Sequence, residues 1–268
     1  MTPDALSQAL TPERWPALIY LTARITGLML SAPFWSMAPM PRSVRAAVTM
    51  VFAVLLLPAT PLVQVPSQPF DMPLPLAIEG MLGLAMGLTA AVLVQGAALA
   101  GELLSVQMGL SLGPAIMVMP DLPTSEFGHL FGLFATAIFL GLDGHLTLLG
   151  GLAASLGTLP PGSVFQIATG AHAATALFGT LFSTAVCVAA PVLATLMLTH
   201  VALALLNRAV PQLNSLMNSF PLTIGAGLLM LGLALPVMTT VYAEGISQLP
   251  ERVQDTLEAW APPVDGGR

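Results

Sequence analysis

The sequence predicts an all-α integral membrane protein of about six transmembrane or membrane-level helices, with a re-entrant Gly/Pro/Met segment between the third and fourth. Three observations carry this. Of 268 residues, 56% are hydrophobic and 7% are charged, and the mean hydropathy is +0.86. A soluble domain carries about 25% charged residues, so a soluble fold of this length would lack the charge to cover its surface. Apolar runs of about 20 residues, the length a bilayer core requires, recur between Pro-, Gly- and Arg-containing breaks. Residues 101–121 are apolar enough for membrane depth, yet too rich in Gly, Pro and polar groups for one clean helix. Irregular backbone survives at that depth only when it is buried in protein or lines an aqueous cavity.

The net charge of −6, with Arg as the only strong base, excludes the clustered basic surface that nucleic acid requires. The single cysteine, Cys187, cannot form an internal disulfide. Residues 1–13 carry Asp4 and Glu13 and no basic leader, so the first apolar run is expected to be a retained span.

The first span covers residues 15–35, with Trp15 and Trp35 placed as interfacial anchors. Arg24 lies inside it. A charge at that depth is costly and usually paired or facing a cavity; snorkelling, or pairing with an acid on a neighbouring helix purely for assembly, is favoured over a role in a conduit. Pro33, Pro39 and Pro41 break the chain, and Arg42 and Arg45 mark a membrane boundary. The second span is 44–62, followed by a stiff connection with five prolines. The third is 76–100; Glu79 is near its start, and Gly83 and Gly87 form a small-residue face for close helix packing.

Residues 101–121 come next, starting at Gly101-Glu102. Glu102 either pairs with Arg24 or begins the re-entrant segment. The fourth span is 127–149, interrupted by Asp143-Gly144-His145. These residues suit a proton relay, but a helix end explains them more simply. The fifth span, 172–206, exceeds one bilayer crossing and contains Pro191. His200 and Asn207 share one face of it and suit an interhelical polar contact. A polar hairpin loop, 207–222, precedes the sixth span, 223–242. The tail is amphipathic: Ile246, Leu249, Val253, Leu257 and Trp260 recur at helical intervals, as in a helix lying on a membrane or partner surface. Arg42, Arg45 and Arg208 balance Arg14, Arg252 and Arg268, so charge alone does not orient the chain.

Two tempting motifs carry little. Gly109-Leu110-Ser111-Leu112-Gly113 matches a serine-nucleophile pattern, with His145 or His200 as a base. That pattern acts only on a strained strand-to-helix turn, and no strand is predicted here. The four histidines are scattered, with no i, i+4 ligand pair, so neither a metal site nor a cofactor site is predicted. Of the 15 methionines, Met108, Met117 and Met119 cluster in the central segment. They suit either gap filling or a deformable apolar seal.

Taken together and in order, several segments resemble the FliR/SctT family of type III secretion export-gate proteins. They are Arg24 with Ala32-Pro33-Phe34; Pro41-x-x-Val44-Arg45; Gly101-Glu102-x-x-x-x-Gln107-Met108-Gly109-Leu110-Ser111; Asp143-Gly144-His145-Leu146; and Leu206-Asn207-Arg208-x-x-Pro211-Gln212-Leu213 ahead of Phe220-Pro221-Leu222. The resemblance covers nearly the whole chain, from residue 24 to about residue 236. It implies a single membrane domain over 1–268, with a FliP-like part at 15–150, a FliQ-like helical hairpin at 172–245 and an amphipathic tail at 246–268.

It further implies a non-enzymatic subunit of the flagellar export gate in the bacterial inner membrane. Such a subunit assembles with FliP-like and FliQ-like subunits and an FlhB-like switch protein around a conduit for unfolded flagellar proteins. By position, Gln107, Met108, Gly109, Leu112, Gly113, Pro114, Ile116, Met117 and Met119 form the plug, with Ile and Met where the family often carries aromatic side chains. Arg24, Glu102, Asp143, His145 and His200 are the buried polar groups of assembly. Asn207, Arg208, Pro211, Gln212, Phe220 and Pro221 belong to a cytoplasmic loop. The rival reading is a secondary transporter with a broken-helix site. It calls for two Gly/Pro-interrupted segments in matching places; the sequence offers one, with Pro191 as the nearest second.

Overall fold

The computed structural model describes residues 11, 14–37, 41–61, 72–109, 126–162, 167–209 and 215–260. Among them are nine α-helices and no strand. In chain order they are α1 (Trp15–Ser31), α2 (Pro33–Met37), α3 (Arg42–Leu56, extended by a 3₁₀ turn Leu57–Ala59), α4 (Pro73–Gln107), α5 (Glu126–Gly141), α6 (Gly144–Thr158), α7 (Ile167–Ala209), α8 (Ser215–Ser247) and α9 (Leu249–Trp260). Among the described residues, three stretches suffice by length and composition to cross a membrane: Arg42–Ala59, Pro73–Gln107 and Thr175–Leu206. A fourth arises if Phe127–Gly141 and Gly144–Thr158 count as one broken span.

Several boundaries differ from those the sequence predicts, each for a local reason. The first helix stops at Ser31, because Ala32 adopts extended backbone (φ −63°, ψ 133°), the conformation that a following proline favours. The third helix does not end at residue 100 but continues to Gln107. Glu102 to Gln107 contains no helix breaker, and Gly101 serves close packing rather than a break. The hairpin loop is shorter than 207–222, since α8 begins at Ser215 and takes Phe220 and Pro221 into its helix. Polarity over 215–219 describes surroundings, not backbone conformation.

The chain divides into two compact units. The first comprises Met1–Val92, Leu140–Phe178 and Ile246–Arg268. Here α1 packs on α3 and on the first half of α4, burying Leu21, Ile25, Leu28, Leu82 and Met86. Thr49 donates its hydroxyl to Met29 Sδ at 3.3 Å, and Arg14 Nη1 donates to the Leu57 carbonyl at 3.0 Å. The tail helix α9 does not lie free. Leu249, Val253, Leu257 and Trp260 are buried, α9 packs on α6, and a Cβ on Gly151 would stand 2.9 Å from Val253 Cγ1. The stripe read as membrane- or partner-facing is thus covered within the chain.

The second unit comprises Leu93–Phe139 and Gly179–Gly245. Its interior holds Val94, Ala97 and Leu104 of α4, Phe131 and Phe139 of α5, and Val188, Val192 and Met238 of α7 and α8. Buried Tyr242 donates its hydroxyl to the Leu93 carbonyl at 3.0 Å.

Three apolar stretches of similar hydropathy differ in burial: 67% of the α4 window is buried, against 28% for Thr175–Leu206 and 17% for Arg42–Ala59. Helix α4 is therefore buried along most of its window, while α3 and α7 carry exposed apolar surface. Large apolar side chains stand exposed on α7 and α8, including Phe182, Met197, Leu198, Leu229 and Leu233.

Between α5 and α6 the break falls on Asp143, the one non-glycine residue with positive φ among those described (φ 57°, ψ 26°). Aspartate tolerates this left-handed conformation better than most residues. Its carbonyl accepts the Leu146 and Thr147 amides at 3.0 and 3.1 Å, starting α6. Asp143→Val is expected to lower stability by about 1–2 kcal/mol, the left-handed penalty for a side chain, whereas Asp143→Gly should leave it unchanged or slightly higher. Thermal unfolding in mild detergent checks the pair; equal behaviour of the two variants would contradict it.

Candidate functional site

The most concentrated chemistry lies in the first unit, where α1, α4 and the end of α6 meet. Arg24 and Glu79 are both fully buried, and Arg24 Nε donates to Glu79 Oε2 at 2.6 Å. Nη1 donates to Ser155 Oγ at 3.0 Å and to the Ser155 carbonyl at 3.4 Å; Nη2 donates to the Leu159 carbonyl at 3.0 Å. The second carboxylate oxygen, Glu79 Oε1, accepts the Gly162 amide at 2.8 Å. Ser155 Oγ in turn donates to the Leu152 carbonyl at 2.6 Å. Every guanidinium nitrogen and both carboxylate oxygens are thus engaged, which a buried ion pair requires if its attraction is to offset desolvation. The arrangement clamps the three segments together.

The helices are held close enough for this by a glycine seam. A Cβ on Gly83 would overlap the Arg24 carbonyl oxygen and stand 2.9 Å from the Leu28 amide nitrogen. A Cβ on Gly27 would overlap the Gly80 carbonyl. Glu79, Gly83 and Gly87 sit at i, i+4 and i+8, on one face of α4. That spacing is the signal that could have pointed to Glu79 as the acid facing α1. The sequence reading allowed Glu102 instead, but the salt bridge falls on Glu79. Glu102 is half-buried in the second unit, with Oε1 2.7 Å from where a Gly128 Cβ would lie.

The root of the central segment is in the second unit. Gln107 is the exposed last residue of α4, and Met108 is 2% exposed. Met108 lies on bare Gly227 of α8, where an added Cβ would overlap its Cε and stand 3.1 Å from its Sδ. Gly109 has φ 76°, and its amide donates to the Val106 carbonyl at 3.1 Å. This is the left-handed glycine that commonly ends helices. Leu112, Gly113, Pro114, Ile116, Met117 and Met119 lie outside the described residues, as does Ser111. Gly101 abuts α5: its Cβ would stand 2.5 Å from the Phe127 carbonyl oxygen and 2.8 Å from Gly128 Cα.

The remaining predicted residues are dispersed. Asp143 is exposed; His145 is half-buried, and its buried Nδ1 has no hydrogen-bond partner among the described residues. His200 is half-buried on α7, Asn207 belongs to the last turn of that helix, and Arg208 is exposed there. Pro221 is exposed inside α8, Phe220 lies in the same helix, and Pro211 and Gln212 lie outside the described residues. Among the described residues no three His, Cys, Asp or Glu gather where a metal ion would fit.

The sequence profile of bacterial export proteins, family 1, matches residues 15–249. The chain is 29% identical over 248 residues to flagellar biosynthetic protein FliR of Escherichia coli strain K12, covering 88% of this chain and 93% of that protein. It is 30% identical over 218 residues to flagellar biosynthetic protein FliR of Aquifex aeolicus strain VF5, covering 81% and 84%. It is 32% identical over 145 residues to secretion system apparatus protein SsaT of Salmonella typhimurium, covering 54% and 56%.

Proposed function

We propose, given that the chain belongs to the bacterial export proteins, family 1, the FliR/SctT export-gate family, that it works as a non-enzymatic core subunit lining and plugging the conduit of the apparatus. A role as a membrane subunit of a flagellar or type III export apparatus follows from that membership. The proposal adds the mechanism. The family match over residues 15–249 is the observation that carries it.

In this reading the protein is a multi-pass component of the bacterial inner membrane and of the flagellar basal body. Its exposed apolar surfaces on α3, α7 and α8 meet FliP-like and FliQ-like subunits and lipid, and an FlhB-like switch protein engages the assembly. Residues 15–150 form the FliP-like part and 172–245 the FliQ-like hairpin, with the connection around Arg208, Pro211 and Gln212 facing the cytoplasm. Residues from Gln107 through Met119 form the plug, and unfolded flagellar proteins displace it. Two features support a plug rooted there. Helix α4 is the most buried of the long apolar helices. It leads directly into Met108, seated over Gly227, so the segment that follows starts from a fixed base.

Removing residues 113–121 is expected to raise the passive ion conductance of cells that express the complete apparatus, while the subunit still co-purifies with its partners. Conductance equal to that of the intact apparatus, with assembly preserved, would refute the plug.

A further inference from the structure

Four oxygens converge at the C-terminal end of α6: Ser155 Oγ, the Ser155 and Leu159 carbonyls, and Glu79 Oε2, at 3.0, 3.4, 3.0 and 2.6 Å from the guanidinium nitrogens of Arg24. We infer that these oxygens form a receptor for a planar cation, which the chain fills with its own arginine, and that filling it latches the end of α6 and the following turn against α1 and α4.

Carbonyls at the end of a helix carry the negative end of its dipole; that of Ser155 already accepts the Leu159 amide at 2.9 Å, and that of Leu159 lies beyond the last turn. Here they point into the first unit rather than to its surface: Ser155 is fully buried and Leu159 is 2% exposed. Arg24 is the tenth residue of the 17-residue apolar α1, so the end of α6 lies within an arginine's reach of that helix's middle. Backbone left bare in such surroundings is costly. A guanidinium suits the task because its flat fork addresses several oxygens at once, whereas an ammonium is a point charge. The turn beyond is treated with opposite polarity: Gly162, in the left-handed region at φ 79°, gives its amide to Glu79. One ion pair therefore satisfies both the carbonyl end of α6 and the amide of the reversal after it. The contacts join residues 55, 131 and 135 positions apart, so the first unit closes only when all three segments have arrived. This inference concerns closure of the chain itself and stands apart from what the export apparatus carries.

The test uses the full chain in its native membranes, with Cys187→Ala and a reporter, Leu159→Cys, which changes a buried side chain and keeps the carbonyl. With Arg24 present, labelling by N-ethylmaleimide is expected to be slow. Arg24→Ala should speed it by about ten-fold or more as the turn opens locally. Millimolar guanidinium should then slow it again, where equal sodium chloride does not. Arg24→Lys should fall between, and Glu79→Gln, with the receptor still filled, should not respond to guanidinium. Ser155→Ala removes one oxygen without removing a charge and should speed labelling by a smaller factor, so the receptor is tested even if Arg24→Ala inserts poorly. Unchanged labelling in Ser155→Ala and Arg24→Ala, or fast labelling in Arg24→Ala that guanidinium does not slow, would overturn the inference.

Discussion

Glu79→Ala is expected to destabilise the chain by about 3–5 kcal/mol, the range for removing one partner of a buried ion pair. The loss is large because of what remains. Arg24, fully buried, keeps its charge and its contacts with Ser155 and Leu159 but loses its counter-ion, and the Gly162 amide loses its acceptor. The double replacement Arg24→Met with Glu79→Leu should cost less than Glu79→Ala alone, since neither charge is stranded. It will not be free, because the Leu159 carbonyl and Ser155 Oγ lose the guanidinium as donor. Unfolding of the purified chain in mixed micelles measures all three proteins. Glu79→Ala within about 1 kcal/mol of the parent, the range of exposed pairs, would mean that the pair is wetter or looser than its geometry.

Much of this arrangement was legible in the sequence, for reasons that also mark the limit. Bilayer thickness fixes the length of an apolar run, so 76–100 and 172–206 could be located, and α4 and α7 include them. A charge inside such a run is paired, faces a cavity or snorkels, so pairing of Arg24 with an acid was one of the outcomes readable from one residue. The identity of that acid depends on how α1 and α4 are set against each other, which Gly83 and Gly27 decide through backbone contact and composition does not express. Glu79 was nevertheless within reach, because it continues the Gly83/Gly87 face. The stripe of α9 was legible as a face, but periodicity names a face and not what covers it; Leu249, Val253 and Leu257 suit lipid, another subunit or α6 alike. The reading of residues 101–107 as irregular failed because glycine serves both breaks and close approaches. At Gly101 the neighbouring Phe127 carbonyl shows the second use. Asp143 was readable as a helix end, although the strained backbone falls on it and not on Gly144.

Gly83→Ala is expected to lower stability by more than about 3 kcal/mol, combining overpacking with loss of the ion pair's geometry. In an isolated helix the same change would raise it by up to about 1 kcal/mol. The sign is reversed by what the new methyl meets. It would overlap the Arg24 carbonyl oxygen and stand 2.7 Å from the Arg24 carbonyl carbon and 2.9 Å from the Leu28 nitrogen. All three are backbone atoms of α1, so no flexible side chain can move aside and the two helices must separate. Separation lengthens the 2.6 Å contact between Arg24 and Glu79, because Glu79 lies one turn before Gly83 on the same face. The effects of Gly83→Ala and Glu79→Ala should therefore be less than additive, each removing part of what the other depends on. Two glycines serve as controls within the same chain. A Cβ on Gly80 would stand 3.9 Å from the Ala23 carbonyl oxygen, an ordinary contact, and one on Gly150 of α6 would meet nothing within 4 Å. Alanine at either should be neutral or stabilising by up to about 1 kcal/mol. Stability changes of the same sign at Gly83 and Gly150 would show that the seam can yield. The buried pair would then hold the helices together without being held in turn by their backbone contact.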